Sequence, residues 1–199
     1  MQTRRRYHHG DLRAALLTGA EDTIREKGPA ALSLRELARD LGVSHAAPSR
    51  HFKDKQALLE ALALVGFDRI TQTMTAALVG AGESFAGRLA AGARAYVDFA
   101  VANAELLDLM YSIKHAPEAS EELSAASQRW TEQMMSLIAE GQRRGEVREG
   151  PLERVGTGVF STLHGYATLV ASDSLPEEMP GGGLDELVAY ILRGCAPDK

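Results

Sequence analysis

The sequence predicts an all-α fold of about nine helices. Leu and Ala dominate the 45% of residues that are hydrophobic, whereas the β-branched and aromatic residues that favour strands are sparse. Apolar residues recur every three or four positions along most of the chain, and the period-two alternation of a half-buried strand is almost absent. These patterns indicate three short N-terminal helices, a connecting fourth helix and a larger C-terminal bundle.

The first helix is expected from about Asp11 to Lys27. One apolar residue stands at every fourth position, and Gly28-Pro29 follows in the order that is typical of a helix end. The apolar stripe consists of Leu12, Leu16, Ala20 and Ile24.

The second helix has the best-marked start in the chain. Ser33 and Glu36 have the S-x-x-E spacing of a capping box, in which each side chain bonds an otherwise unpaired backbone N–H. Leu32 and Leu37 flank the box as a hydrophobic staple. This helix is short and is expected to end at Gly42.

Ser44 is the expected N-cap of a third short helix, and Asp54 is the expected N-cap of a fourth that continues to roughly Ala77. Pro48 lies at the edge of the first turn of the third helix, where it forfeits at most one backbone hydrogen bond, to the Ser44 carbonyl. Residues 78–84 are the expected break before the bundle. Apolar stripes predict further helices that begin near Phe85, Leu106, Leu123, Leu152 and Leu184.

Residues 33–52 have the pattern of a helix, a tight turn and a helix. Ala38 permits close contact between the two helices, and Gly42 permits a left-handed turn. A helix that starts at Ser44 could enter a DNA major groove with its exposed N-terminal half. The net charge of the chain is −5, yet residues 1–55 hold 11 Lys and Arg against 7 Asp and Glu. A basic N-terminal quarter suggests a contact with a polyanion.

The stretch LSLRELARDLGVSHAAPSRHFKDKQALLEAL, preceded by YHHGDLRAALLTGAEDTIREKG, resembles the N-terminal domain of TetR-type transcriptional repressors. The resemblance runs from about Tyr7 to Leu62. It implies a homodimer whose C-terminal helices form the dimer interface, and a small-molecule pocket in the bundle that controls DNA affinity. We therefore expect a helix-turn-helix DNA-binding domain in residues 1–55 and a ligand-binding and dimerisation domain in residues 56–199.

The expected DNA-binding residues lie on and around the helix-turn-helix. They are Ser33, Arg35, Ser44, His45, Ala46, Ala47, Ser49, Arg50, His51 and Lys55. The family commonly has a leucine-like residue at position 48 and tyrosine at position 49, where this chain has Pro48 and Ser49. A tyrosine–phosphate contact is therefore absent or replaced by a shorter serine contact. Arg4 to Arg6 form a minor-groove arm or a solvated terminus, and His8-His9 are expected to contact backbone or phosphate rather than a metal.

The stretch TLHGYATLV resembles the Trp-His-Gly signature of one branch of the same family. His164 and Gly165 match that signature, and Leu163 stands in place of its tryptophan. The candidate ligand-binding residues are His164 and six aromatic or Met residues, each of which is also typical of plain helical core. These six are Tyr96, Phe99, Met110, Tyr111, Trp130 and Met134.

Enzymatic and membrane functions have little support in the sequence. The segment GTGVFS, Gly156 to Ser161, lacks the third glycine of a dinucleotide loop, and the motifs G-x-S-x-G, H-E-x-x-H and C-x-x-C are absent. Cys195 is the one cysteine, the histidines are scattered, and no apolar run has the length of a membrane span. No signal peptide is recognisable. We expect no enzyme activity, no cofactor, no metal and a cytoplasmic location.

The sequence thus predicts a ligand-responsive DNA-binding transcriptional regulator. It is expected to be a repressor that binds a pseudo-palindromic double-stranded DNA operator as a homodimer and is released by a small-molecule effector. The alternative is a helical module that binds a small molecule or a protein and has lost operator recognition. Pro48 and Ser49 are the residues that motivate this alternative.

Overall fold

The computed structural model describes residues 12–116, 119–175 and 183–197, and these residues form helices joined by turns and loops. Two single-turn 3-10 helices, Pro29–Ala31 and Pro48–Arg50, accompany eight α-helices in this part of the chain. The all-α prediction is confirmed, and the number of helices is close to the nine that were expected. The α-helices are α1 Leu12–Lys27, α2 Leu34–Asp40, α3 Lys55–Val79, α4 Phe85–Ala102, α5 Ala104–Ile113, α6 Glu121–Arg143, α7 Leu152–Ala171 and α8 Leu184–Cys195.

The chain divides into two compact units. The N-terminal unit consists of the described residues up to Gly66 together with Glu105–Ser124. The C-terminal unit consists of Phe67–Ala104 together with the described residues from Ala125 onward. Helix α3 belongs to both, since its first half lies in the N-terminal unit and its second half in the C-terminal unit. The functional boundary that the sequence suggested after residue 55 stays a prediction.

Helix α1 forms the core of the N-terminal unit. The stripe that the sequence predicted, Leu12, Leu16, Ala20 and Ile24, is buried along its whole length. Helix α1 contacts α2 and both 3-10 helices, so one apolar face supports three neighbouring elements. A Cβ at Gly19 would lie 3.2 Å from Leu37 Cδ2, which shows how closely α2 approaches α1 at this point.

Side-chain caps set the starts of the helices around the turns. Ser33 Oγ accepts a hydrogen bond from the Glu36 N–H at 3.5 Å, and Asp54 Oδ1 accepts one from the Ala57 N–H at 2.8 Å. Both N-caps are therefore confirmed. Leu32 and Leu37, the expected staple, are both buried. Asp11, the expected first residue of α1, lies outside the described residues.

The third α-helix that the sequence predicted after Ser44 does not form, and this expectation was wrong. Residues 44–47 form a turn, and Pro48–Arg50 form a single 3-10 turn. Pro48 has no N–H with which to bond the Ser44 carbonyl, so that carbonyl accepts instead from the Ala47 N–H at 2.9 Å. The Pro48 carbonyl accepts from the N–H groups of His51 and Phe52, both at 2.9 Å. The segment is thus held by turn bonds, not by an α-helical ladder.

The C-terminal unit is a helical bundle in which α7 packs against α4 and α8. Its buried residues include Phe67, Tyr96 and Trp130. Gly141 lets the end of α6 approach the following loop, because a Cβ there would lie 2.5 Å from Val147 Cγ2 and 2.9 Å from the Phe85 ring. Helix α3 continues to Val79, so the break before α4 covers residues 80–84 of the expected 78–84. No helix in the described ranges has both the length and the apolar character of a membrane span.

Gly42→Ala tests the turn that follows α2. Gly42 has φ 67°, where a Cβ costs about 1–2 kcal/mol, although that Cβ would meet no atom within 4 Å. Gly80→Ala is the matched control, because its Cβ also has open space and Gly80 is not among the positive-φ residues. We expect Gly42→Ala to lower the free energy of unfolding in urea by about 1–2 kcal/mol more than Gly80→Ala. Equal losses in the two variants would contradict this account of the turn.

Candidate nucleic-acid interface and aromatic cluster

The residues predicted to bind DNA lie between Ser33 and Lys55 in the N-terminal unit, and most of them are exposed. This range includes the turn of residues 44–51, which we call the 44–51 turn. Seven of the ten predicted residues are exposed, namely Arg35, Ser44, His45, Ala46, Ser49, Arg50 and His51. The other three, Ser33, Ala47 and Lys55, are half-buried. Most of these side chains are therefore open to solvent and to a large partner.

Two buried residues attach the 44–51 turn to the core of the unit. Pro48 is buried, and Phe52 is 3% exposed. The guanidinium of Arg13, on α1, lies 5.4 Å from the centre of the Phe52 ring, which is the geometry of a cation–π contact. On the other side, the Val43 N–H donates to the Ala38 carbonyl at 2.9 Å. The turn is fixed at both ends and at the buried Pro48, while residues 44–46 and 49–51 are exposed.

Lys55 has a structural contact in addition to the role that the sequence suggested. Its Nζ donates to the Ala30 carbonyl at 2.9 Å and so ties the start of α3 to the first 3-10 helix. An ammonium group has three donors, so two remain for a phosphate. A contact between Lys55 and DNA stays a prediction.

Lys53 is an exposed cation that the sequence analysis did not include among the candidates. It stands directly after Phe52, just beyond the end of the 44–51 turn. The sequence contained a signal for this candidate, because Lys53 is a basic residue directly between Phe52 and the expected helix cap Asp54. Asp54 is the acidic residue of this segment, and its carboxylate already caps α3. Arg50, Lys53 and Lys55 therefore give the segment a positive charge of the kind that binds phosphates.

A second group of predicted residues comes together inside the C-terminal unit. Tyr96 on α4 stacks on Trp130 of α6, with ring centroids 5.9 Å apart. The Tyr96 hydroxyl lies 2.6 Å from Nδ1 of His164 on α7, a hydrogen-bonding distance. Phe160 completes the aromatic cluster, with its ring 5.6 Å from His164 and 5.8 Å from Tyr96. The sequence analysis missed Phe160, although it precedes His164 by one helical turn and shares its face.

The remaining candidate ligand residues are not all part of this cluster. Phe99 is buried and Met134 is half-buried in the C-terminal unit. Met110 and Tyr111 belong to the N-terminal unit, where Met110 is fully buried next to Gly66 and the Tyr111 ring lies 4.2 Å from Lys114 Nζ. The seven candidates thus belong to two units. Their role in binding a ligand stays a prediction.

Two family models match the chain. The model described as "Bacterial regulatory proteins, tetR family" matches residues 16–62. The model described as "Tetracyclin repressor-like, C-terminal domain" matches residues 89–194, which is more than half of the chain. The resemblance to the Trp-His-Gly branch is not confirmed by either model. A comparison with curated proteins finds no match.

Solved structures share the fold over nearly the whole chain. A protein with unknown function from Rhodococcus sp. RHA1 is 43% identical, with a TM-score of 0.85, over 97% of this chain and 100% of that one. A regulator of the TetR/AcrR family from Thermobifida fusca YX-ER1 is 26% identical, with a TM-score of 0.69, over 92% of this chain and 98% of that one. A tetR-family regulatory protein from Rhodococcus RHA1 shares the fold, with 21% identity and a TM-score of 0.74 over 94% of this chain and 98% of that one.

Tyr96→Phe tests the polar contact inside the aromatic cluster. Tyr96 is fully buried, so removing its hydroxyl deletes the hydrogen bond to His164 without exposing the ring. We expect the free energy of unfolding to fall by about 1–2 kcal/mol. Tyr190→Phe is the control, because Tyr190 is 62% exposed and the same deletion there should change stability by less than about 0.5 kcal/mol. Chemical denaturation of both variants measures the difference, and equal stabilities would contradict the contact.

Proposed function

Because the chain belongs to the TetR family of bacterial regulatory proteins, it is a DNA-binding transcriptional regulator, and we propose that it is a ligand-responsive repressor. In this proposal two subunits bind a pseudo-palindromic operator, and a small-molecule effector releases them. The observation on which the proposal depends is the exposed 44–51 turn with its three nearby cations, fixed on the core of the N-terminal unit. The helices of the C-terminal unit would provide dimerisation and effector binding.

The 44–51 turn would enter the major groove in place of a regular recognition helix. His45, Ala46 and Ser49 are exposed and would face bases or the sugar–phosphate backbone. Arg50 and Lys53 would neutralise phosphates, which fix register but supply no sequence information. Two such turns in a dimer would contact successive major grooves, with half-sites about 34–36 Å apart or somewhat more.

The exposed faces of α7 and α8 support dimerisation through these two helices. Leu169 on α7 is 45% exposed and Tyr190 on α8 is 62% exposed, which places large apolar side chains on both helices in contact with solvent. Gly158 and Gly165 are exposed on α7, and a Cβ at either position would meet no atom within 4 Å. Small residues beside apolar side chains allow another helix to approach closely. A second copy of the chain would bury this face.

The aromatic cluster supports effector binding in the C-terminal unit. Effector sites are mostly apolar and contain a small number of placed polar groups, and the cluster combines three aromatic rings with the Tyr96–His164 pair. An effector that binds here would change operator affinity only if it favours one conformation of the dimer over another.

The second candidate function is a helical binding module without operator recognition. The observation that favours it is the 3-10 turn at Pro48–Arg50, which leaves the chain without a regular second helix in its helix-turn-helix. This candidate predicts a folded dimer that binds DNA weakly and without sequence preference.

Genome-fragment selection with the purified protein distinguishes the two candidates. Fragments of genomic DNA are bound at moderate salt with excess non-specific competitor, recovered and sequenced. The repressor proposal expects an enriched pseudo-palindrome, because each subunit places an identical turn in the groove. A folded protein that enriches no sequence would contradict operator recognition and favour the binding module.

Lys53→Gln tests the phosphate contact on the recovered site. The substitution removes one exposed cation, so we expect weaker binding and a salt slope, log K against log salt concentration, that is smaller by about 1 per subunit. Arg143→Gln is the matched control, because Arg143 is exposed at the end of α6 and its loss removes the same charge from the C-terminal unit. Fluorescence anisotropy titrations at several salt concentrations measure both slopes. An unchanged slope in Lys53→Gln would exclude Lys53 from the interface.

A further inference from the structure

Ala46 is the apolar side chain that the 44–51 turn exposes. The other exposed residues of the turn carry hydrogen-bonding or charged groups, namely Ser44, His45, Ser49, Arg50 and His51. The side chain of Ala46 is a methyl group, which neither donates nor accepts a hydrogen bond. A phosphate is therefore no partner for it, and its complementary group on a DNA duplex has to be apolar.

Ala46 lies at the tip of a β-turn. The Ala47 N–H donates to the Ser44 carbonyl at 2.9 Å, and this bond closes a four-residue turn whose central residues are His45 and Ala46. Both central residues are exposed, whereas Pro48, directly after the turn, is buried. The exposed tip is therefore anchored to the core by the residue that follows the turn.

The backbone alone sets the position of the Ala46 methyl group. Alanine has no side-chain rotamers to lose, so a contact that buries this methyl group has no cost in side-chain entropy. The closing hydrogen bond and the buried Pro48 hold the backbone itself. A preorganised apolar group of this kind favours a partner that fills the space in front of it over one that leaves a gap.

The major groove contains one apolar feature that distinguishes the bases. Thymine carries a C5-methyl group there, whereas the other three bases are read through hydrogen-bonding groups. We propose that Ala46 contacts the C5-methyl group of one thymine in each half-site and is a specificity-determining residue of this chain. Contact between the two methyl groups removes apolar surface from water. The inference rests on the proposed function, in which the 44–51 turn enters the major groove.

The cations that follow the tip supply affinity but no base discrimination. Arg50 and Lys53 are exposed, and phosphate contacts by them would fix the register of the turn without reading the sequence. Discrimination then depends on the tip, where His45 can bond a base edge and Ala46 supplies the apolar contact. A duplex that keeps its phosphates and loses the thymine methyl group should therefore bind in the same register with lower affinity.

A uracil scan of the recovered operator tests the contact from the DNA side. Uracil pairs with adenine as thymine does and lacks only the C5-methyl group, so each replacement removes one methyl group from the major groove. Every thymine of the half-site is replaced in turn, in both half-sites together. The loss of one buried methyl group corresponds to about fourfold in affinity, so at the contacted thymine we expect binding that is about tenfold weaker. Fluorescence anisotropy with the wild-type protein measures the affinities, and the scan does not depend on the folding of any variant.

Ala46→Gly tests the same contact from the protein side. It removes the methyl group, so the ratio of affinities for the thymine and uracil duplexes should fall from about tenfold to about one. Glycine also loosens the turn, but this affects both duplexes equally and cancels in the ratio. Ala31→Gly is the matched control, because Ala31 is an exposed alanine in the first 3-10 helix of the same unit. It should keep the wild-type ratio.

Three results would overturn the assignment. One is a recovered half-site without an invariant thymine. Another is an operator that tolerates uracil at every thymine. The third is a thymine preference that Ala46→Gly leaves unchanged, which would assign the contact to another residue. In each of these the protein still binds its operator, so the proposed function survives. A folded protein that enriches no sequence would instead contradict the proposed function, and this inference with it.

Discussion

The burial of one face of α1 is the interaction on which the N-terminal unit depends. Leu16, Ala20 and Ile24 are almost inaccessible to solvent, and burial of a Leu or Ile side chain contributes about 1.5–3 kcal/mol. Because α1 contacts α2 and both 3-10 helices, the helix that carries this stripe supports three elements of the candidate DNA interface. Packing against α1 therefore determines which residues of the unit are exposed. The exposed polar side chains can then contact a partner.

Pro48 gives the candidate DNA interface a 3-10 turn where an α-helix was expected. A residue with an N–H at that position could have continued an α-helical ladder from the Ser44 carbonyl, whereas proline leaves a 3-10 turn and buries its own ring. The 44–51 turn consequently owes its position to the Pro48 and Phe52 contacts with the core. A turn held in this way presents its side chains at angles that differ from those on an α-helix, because a 3-10 helix has three residues per turn instead of 3.6.

Most of the fold could be predicted from local patterns, and the exceptions have physical causes. The α1 stripe, the Ser33 and Asp54 caps and the left-handed Gly42 each depend on a few neighbouring residues, which the sequence displays directly. The third helix was mispredicted because two signals conflict within one turn. Ser44 is a typical N-cap residue, whereas Pro48 lacks the N–H that would bond the Ser44 carbonyl in an α-helix. Phe160 was not found as part of the cluster, because its contact with Tyr96 joins α7 to α4, which are far apart in the sequence. The candidate DNA-binding residues could be named from the sequence because they follow one another along the chain, and their contact with DNA stays a prediction.

The most direct test of the account is a map of amide chemical shifts in the protein with and without its selected operator duplex. The account predicts the largest changes at residues 44–51 and at Lys53, with smaller ones at Ser33 and Arg35, at the start of the helix α2 that contacts the 3-10 turn Pro48–Arg50. Changes of that size confined to the aromatic cluster or to α7 and α8, with the 44–51 turn unaffected, would contradict the claim that this turn is the DNA-binding element.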